Sequence, residues 1–229
     1  NLTSTDWELH DISFKALHPD FCLTVSEVSL FLDSSTRQLH IDAHFCPELD
    51  YDASNGPKLC VFSNMANLET GCVYIVGDVL VDSGDEEYAK KLKAVLRIFG
   101  TITIRNTMLE NAYFLRNLQY IVSLNGSLIP MQFLNNTNLQ NLQFQNILSF
   151  FANGKPKIIV NGNHPDVFTK TKNCLTLQYF TGAKVIYNGK NCSTPDDDGF
   201  NTYNGVDYDA YQHGSGGYRR RFQLDSASC

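Results

Sequence analysis

The stretch that decides the fold lies at positions 92–106 and reads Leu92-Lys93-Ala94-Val95-Leu96-Arg97-Ile98-Phe99-Gly100-Thr101-Ile102-Thr103-Ile104-Arg105-Asn106. It begins with apolar residues at three-residue spacing, continues through a glycine, and ends in a segment where apolar and polar residues alternate. Alternation with a period of two sends neighbouring side chains of a strand to opposite faces. We therefore expect Ile102 and Ile104 in a core, and Thr101, Thr103 and Arg105 on the other face.

The same pattern recurs along the chain, with a glycine at positions 77, 100, 126 and 154. The steps of 23, 26 and 28 residues between these positions are typical of a solenoid with growing inserts. A single unit cannot bury its apolar face, whereas stacked units share a continuous core. The repeat therefore predicts an α/β fold in which the strands of successive units pair as parallel sheets. Residues 83–96 are predicted to form a helix that opens with a Ser83/Glu86 capping box.

Composition narrows the class of protein. The 229 residues include 18 Lys and Arg against 24 Asp and Glu, which gives a formal net charge of −6. This acidic balance argues against nucleic acid as a partner, because phosphate backbones attract basic proteins. No apolar run approaches the roughly 18 residues of a membrane-spanning helix. We therefore expect a globular chain that does not itself insert into a membrane.

Cysteines and glycosylation sequons together indicate the compartment. The seven cysteines never form a Cys-x-x-Cys pair, and they lie at positions 22, 46, 60, 72, 174, 192 and 229. This spacing argues against zinc ribbons and thioredoxin-like redox sites. Four Asn-x-Ser/Thr sequons supply candidate glycosylation sites. Asn125, Asn135 and Asn191 are expected in loops, and Asn1 is expected at a cut end of the chain. Both features predict a secreted or cell-surface chain that carries disulfides.

Candidate catalytic and metal-ligating residues are sparse. His40 and His44 form the closest histidine pair, but on a strand they would lie about 13 Å apart, too far for one metal ion. Asp196-Asp197-Asp198-Gly199 lacks the alternating ligands and the closing Glu of a calcium loop. No nucleophile motif or phosphate-binding loop occurs. We expect no enzymatic activity, no catalytic residue, no metal and no cofactor.

The first repeat unit carries a family resemblance. The chain reads Leu59-Cys60, then Leu68, then Cys72-Val73-Tyr74-Ile75-Val76-Gly77-Asp78-Val79-Leu80-Val81. This pattern resembles the first coil of the receptor L domain, the leucine-rich-repeat-like module of insulin and EGF receptors. More narrowly, Phe21-Cys22-Leu23-Thr24 and Ser83-Gly84-Asp85-Glu86-Glu87-Tyr88 resemble the insulin/EGF-receptor-like L-domain proteins of nematodes. The resemblance implies a right-handed β-helix, or solenoid, with parallel sheets, short helices and disulfide caps.

The same resemblance implies a division into four segments. His18-Pro19-Asp20-Phe21-Cys22 is similar to the closing element of an L domain, and a related element recurs at residues 161–168. We therefore expect the tail of a preceding L domain at residues 1–22 and a spacer at 23–59. A receptor L domain is expected at 60–192, followed by a disordered tail rich in Gly, Asp and Tyr at 193–229.

The disulfide pairing is also implied by the resemblance, because spacing alone leaves many pairings open. The implied bonds are Cys22–Cys46, Cys60–Cys72 and Cys174–Cys192. Cys229 is left over, either as a tail thiol without a role or as a covalent link to another chain.

The family analogy implies a non-catalytic extracellular module that binds a secreted peptide ligand or a receptor ectodomain, acting as a decoy or modulator of peptide-hormone signalling. Its contacts are expected on the polar face of the sheet, at Tyr74, Asp78, Thr101, Thr103 and Arg105. The alternative is a structural or adhesive extracellular domain that contacts copies of itself or matrix glycoproteins.

Overall fold

The structure is a computed structural model that describes residues 11–14, 18, 20–33, 38–41, 43–46, 51, 56–124, 126, 128–142, 144, 146, 149–152, 157–168 and 174–192. The chain divides into two units, Asn1–Ser193 and Thr194–Cys229, and every described residue belongs to the first. The expected tail at 193–229, with Cys229, therefore lies outside the described residues, as do Asn1 and Asn125.

Strands and short helices alternate along the described residues. The strands, in chain order, are β1 (Asp11–Phe14), β2 (Cys22–Leu23), β3 (Gln38–Ile41), β4 (His44–Phe45), β5 (Leu59–Val61), β6 (Tyr74–Val76), β7 (Val79–Val81), β8 (Arg97–Phe99), β9 (Ile102–Arg105), β10 (Tyr120–Ser123), β11 (Met131–Leu134), β12 (Ser149–Ala152), β13 (Lys157–Asn161), β14 (Lys184–Tyr187) and β15 (Lys190–Asn191). Two α-helices, α1 (Val25–Asp33) and α2 (Cys174–Thr181), accompany 3-10 helices at Glu86–Ala94, Tyr113–Leu115 and Pro165–Phe168.

Two larger sheets organise the structure, and we name them Sheet I and Sheet II. Sheet I has the strand order β5-β6-β8-β10-β12, and Sheet II has the order β7-β9-β11-β13-β14-β15. All neighbouring strands are parallel except β14 and β15, which are antiparallel. Between β6 and β13, consecutive strands alternate between the two sheets. The parallel pairing of equivalent strands agrees with the expectation drawn from the repeat.

The main core collects the inward side chains of both sheets. Alternation places Ile102 and Ile104 of β9 in it, with Met131 and Phe133 of β11 beside them in register. Ile98 of β8 enters the same cluster from Sheet I. Burying a side chain of this size contributes about 1.5–3 kcal/mol as an upper estimate. The expectation that the isoleucines form the core is confirmed.

Glycine is required at the corner where the chain passes from Sheet I to Sheet II. Gly77 and Gly100 have φ angles of 118° and 149°, which side chains disfavour. The Gly77 N–H donates to the Phe99 carbonyl at 2.9 Å, and the Gly100 N–H donates to the Val122 carbonyl at 2.8 Å. A Cβ atom on Gly100 would overlap the Gly77 carbonyl oxygen. The close approach of successive corners explains the repeat of glycine at this position.

A second apolar cluster covers the outer face of Sheet I. Leu23, Val25 and Val28, from β2 and α1, are buried against Phe99 and Val122 of Sheet I. The α1 segment buries an apolar stripe in the way that amphipathic helices do. Residues expected to act as a spacer thus supply a structural layer, and the outer face of Sheet I is not open to solvent at these positions.

The helix expected at residues 83–96 is a 3-10 helix at Glu86–Ala94, and the expected Ser83/Glu86 box does not form. The residue preceding it is Asp85, whose carboxylate instead accepts from the Asp82 N–H at 3.1 Å. Glu86 accepts from the Gly84 N–H at 2.9 Å and from the Met108 N–H at 3.0 Å. The capping box does not form because the Glu86 carboxylate accepts from the Met108 N–H of the next unit as well as from the Gly84 N–H beside its own helix.

Three disulfides join the six cysteines in the pairs implied by the resemblance, namely Cys22–Cys46, Cys60–Cys72 and Cys174–Cys192. The second joins β5 to the segment just before β6, and the third joins the start of α2 to the residue after β15. Each crosslink restricts the unfolded chain and so stabilises the folded one.

Candidate binding face

The outer face of Sheet II is the open sheet face among the described residues, and we call it the outer face. Strands β7, β9, β11, β13 and β14 of Sheet II send alternate residues into the core, which leaves the residue between them facing outward. In register, these outward residues form a central row of half-buried side chains: Leu80, Thr103, Gln132, Ile159 and Ile186. The row is mixed in character, with apolar side chains at both ends and polar ones in the middle.

Two pairs of side chains flank the central row on one side. At the first corner, Asp78 accepts from the Thr101 N–H at 3.0 Å and from the Thr101 hydroxyl at 2.9 Å. At the other end, Lys157 and Lys184 lie side by side in register, and both are exposed. No ion pair among the described residues involves either lysine. This side of the outer face therefore carries positive charge near β13 and β14.

The other side of the row carries an ion pair. Arg105 Nε lies 2.7 Å from an Asp82 carboxylate oxygen, and the Asn106 side chain donates to the second oxygen at 3.2 Å. The Arg105 hydrogen bond, followed by the Ser83 N–H, lowers the pKa of Asp82 from its ordinary value. Arg105 therefore remains exposed but is held to the neighbouring unit, which fixes its position at the rim of the face.

Asparagines form a hydrogen-bonded ladder below that rim. Asn106 and Asn135 directly follow β9 and β11 and have φ angles of 55° and 56°, a region that Asn tolerates better than most residues. Asn136, the residue that follows Asn135, is fully buried. Its Oδ1 accepts from the Thr107 N–H and hydroxyl at 3.1 and 2.8 Å, and its Nδ2 donates to Asn163 Oδ1 at 2.8 Å. The ladder ties successive units together and so keeps the rows of the outer face in register.

The structure separates the five residues expected on one binding face. Tyr74 lies on Sheet I and is only 9% exposed, because the α1 layer covers that sheet. Its ring packs 5.0 Å from the Arg97 guanidinium, which also lies 5.4 Å from the Tyr120 ring centroid. Thr101 is 7% exposed and is engaged by Asp78 at the corner. Only Thr103 and Arg105 lie on the outer face of Sheet II, with Asp78 exposed at its edge.

Sequence reasoning missed the rest of the central row. Gln132, Ile159 and Ile186 each stand between two inward residues of a strand. The signal was present, because alternation places residue 132 between Met131 and Phe133 in the way that it places residue 103 between two isoleucines. The expectation that Tyr74 shares this face was wrong because the chain turns at Gly77 and enters a different sheet.

Two of the four sequons fall on described asparagines. Asn135 is exposed at the rim of the outer face, directly after β11. Asn191 is exposed in β15 rather than in a loop, and it pairs with Ile186 at the end of the central row. Both side chains can be reached by solvent, so a glycan on either residue would border the outer face.

Comparison with known families bears on the part of the chain that forms these units. The range from Gly71 to Tyr179 includes β6 to β13 and most of α2. Residues 71–179 match the model of the receptor L domain family. The receptor L domain match thus supports the resemblance noted in the first coil and its successors. No curated protein matches the chain.

Metal clusters and membrane-spanning helices were both sought among the described residues. These residues contain no cluster of three His, Cys, Asp or Glu side chains arranged around a common point for a metal ion. Within the same part of the chain, every helix is too short or too polar to cross a bilayer.

Proposed function

We propose that this chain is a non-catalytic extracellular ligand-binding module that uses the outer face of Sheet II. The observation that carries the proposal is the contrast between the two sheets. The outer face of Sheet I is covered by α1, whereas the central row of Sheet II is open and aligned in register. Side chains in ordered rows on a rigid parallel sheet offer a preformed surface, which lowers the entropy cost of binding.

The receptor L domain match supports this role, since the family's modules in insulin- and EGF-type receptors bind ligands. The partner that we propose is a secreted peptide ligand or a receptor ectodomain. We propose that the chain acts as a decoy or modulator of peptide-hormone signalling, as in the nematode proteins that it resembles. We further propose that its units wind as a right-handed solenoid.

An extracellular location is proposed on two grounds. Three disulfides join residues far apart in sequence, and such bonds persist in oxidising compartments. Asn135 and Asn191 are exposed acceptors for N-linked glycans, and we propose that Asn125 and Asn1 are further acceptors. Mass spectrometry of the chain secreted from eukaryotic cells, before and after glycan removal, tests the four sites.

The experiment that tests the function is a binding screen of the secreted chain against insulin-like and EGF-like peptides. Thr103→Lys and Gln132→Lys place a long charged side chain in the middle of the central row. Each variant should weaken binding of any captured peptide at least about tenfold, because central contacts dominate interface affinity. Ala94→Lys, at the exposed end of the 3-10 helix Glu86–Ala94, is the matched control and should bind normally.

Two outcomes would count against the proposal. Peptide binding that is unchanged in both central-row variants would exclude the outer face as the site. Loss of binding in the Ala94→Lys control to the same degree would show that the effect reports folding rather than contact. Circular dichroism of each variant separates these cases.

A further inference from the structure

Charge is distributed unevenly along the chain, and its basic part includes one end of the outer face. Between Glu110 and Asp196 the sequence contains seven Lys or Arg residues and a single acidic residue, Asp166. This stretch carries a formal charge of +6, although the whole chain carries −6. It includes strands β10 to β15, so the last strands of Sheet II belong to a basic part of an acidic chain.

Lys157 and Lys184 concentrate positive charge at this end of the outer face. They are register partners on β13 and β14, and the backbones of neighbouring strands lie about 4.8 Å apart. Both side chains are exposed, and neither joins an ion pair with another described residue. Like charges placed directly opposite each other destabilise a sheet. The fold therefore gains nothing from a lysine at both positions, whereas an anion lying between the two side chains would be attracted by both.

The acidic side chains of the outer face lie at its opposite end and have partners of their own. Asp82 pairs with Arg105 at 2.7 Å, and Asp78 accepts from the Thr101 N–H and hydroxyl. These aspartates flank β7, which is three strand spacings, or about 14 Å, from β13. That separation exceeds the Debye length of roughly 10 Å in 0.1 M salt. The acidic side chains of the face therefore do not neutralise the two lysines.

Two isoleucines beside the lysines indicate which kind of anion fits. Ile159 and Ile186 are half-buried register partners in the central row, and each lies two residues after one of the lysines. Two residues along a strand span about 6.6 Å. A sulfated polysaccharide would supply charge but no apolar group for the isoleucines. A peptide supplies both, because residues two positions apart in an extended segment point to the same side at the same spacing.

We propose that the β13–β14 end of the outer face selects an acidic segment of a peptide. One Asp or Glu carboxylate of the segment lies between Lys157 and Lys184, and an apolar side chain two positions away packs on Ile159 and Ile186. This assignment rests on the proposed function, since it names the peptide chemistry that the outer face recognises. The lysines speed association and favour acidic partners over basic ones, while the isoleucines add apolar contact.

Selection from a random peptide library tests this chemistry. Peptides displayed on phage are selected on the secreted chain, and the sequences of the survivors are compared with the unselected library. We expect enrichment of Asp or Glu two positions from Leu, Ile, Val or Phe. Because Asn191 pairs with Ile186 at the edge of this site, the selection is repeated with Asn191→Gln, and enrichment on either form supports the assignment.

Charge-removing variants then locate the contact. Selected peptides should bind Lys157→Gln/Lys184→Gln at least about fivefold more weakly than the native chain at about 0.05 M salt, and the difference should shrink at about 0.5 M salt. Lys90→Gln/Lys93→Gln is the matched control, because it makes the same change in net charge at exposed positions of the 3-10 helix Glu86–Ala94. The control should bind like the native chain.

The outcomes separate this assignment from the proposed function. If no peptide survives, or if Thr103→Lys leaves the binding of every survivor unchanged, the outer face does not bind peptides and both fail. If Thr103→Lys weakens binding but the survivors lack the acidic and apolar pair on both forms, or bind Lys157→Gln/Lys184→Gln normally, only the acidic chemistry is overturned.

Two further measurements guard against other roles of the lysines. The urea midpoint of Lys157→Gln/Lys184→Gln should equal or exceed that of the native chain, because a repulsion has been removed. A lower midpoint together with weaker binding would assign the lysines a structural role and overturn the proposal. Retention on immobilised heparin that requires both lysines, with peptide binding that does not, would assign them to a sulfated polysaccharide and overturn it as well.

Discussion

Removing the Asn136 side chain should destabilise the protein more than removing any exposed polar side chain. Asn136 is fully buried, and its carboxamide joins three successive units. Its Oδ1 accepts from the N–H and hydroxyl of Thr107, while its Nδ2 donates to the Ile104 carbonyl at 3.0 Å and to Asn163 Oδ1 at 2.8 Å. The substitution Asn136→Ala removes all of these bonds at once.

The expected loss follows from the groups left behind. A buried donor or acceptor that loses its partner costs about 1–3 kcal/mol. The Thr107 N–H and hydroxyl lose their acceptor, while Asn163 Oδ1 keeps the Asn136 backbone N–H, which donates at 3.1 Å. Because such costs are not additive, we expect a loss of roughly 3–5 kcal/mol in the free energy of unfolding. That is a large share of the roughly 5–15 kcal/mol available to a typical domain.

Urea unfolding of the oxidised protein, followed by circular dichroism, measures this loss. Asn161→Ala is the matched control, because Asn161 is exposed and its side chain should contribute less than about 0.5 kcal/mol. The substitution at position 136 leaves the Asn135-x-Thr137 sequon intact, so glycosylation does not confound the comparison. If Asn136→Ala and Asn161→Ala unfold at the same urea concentration, the ladder does not hold the units together as argued.

Two further changes test the corner and the acidic hydrogen bonds. Gly100→Ala should cost about 2–4 kcal/mol, because its methyl group meets the Gly77 carbonyl and its φ is positive; Gly84→Ala, in open space, should cost only about 1 kcal/mol in urea unfolding. Equal losses at the two glycines would contradict the close approach. Hydrogen bonds from the Met108 N–H and from Glu86's own N–H lower the pKa of Glu86 from its ordinary value of 4.5. Because the pKa of Glu86 is lower in the folded state than in the unfolded state, its carboxylate contributes stability above the unfolded-state pKa. That contribution is lost as the pH falls through the folded-state pKa. The urea midpoint should therefore drop less in Glu86→Gln than in the native chain between pH 5 and pH 3, and parallel curves would argue against this role.

The interior of the units followed from the sequence with little ambiguity. Alternation in residues 101–105 placed Ile102 and Ile104 inward, and the recurring glycines at positions 77 and 100 marked the corners. Both signals are local, since side-chain alternation and a positive φ depend on a few neighbouring residues. Such local signals predict the structure correctly here because the same strand and corner recur in successive units.

The division of the strands between two sheets did not follow from local signals. Tyr74 precedes the glycine of its unit and Thr103 follows the glycine of the next, so one lies on Sheet I, buried under α1, and the other faces outward from Sheet II. What covers a face depends on packing between residues far apart in sequence, and here Val28 of α1 and Phe99 of Sheet I belong to one buried cluster. Asn136 of the ladder was missed for a similar reason. In the sequence, a buried asparagine cannot be told from an exposed loop asparagine, because its hydrogen-bond partners lie in neighbouring units.

A peptide partner should bind the outer face of Sheet II and not the layer over Sheet I. Photo-crosslinking tests it most directly, with p-benzoylphenylalanine introduced at position 132 in the central row and, separately, at Leu30 on α1, which is 58% exposed. Using a peptide identified in the binding screen, we predict crosslinks from position 132 and none from position 30. Crosslinks from position 30 alone would show that the peptide binds the layer over Sheet I instead.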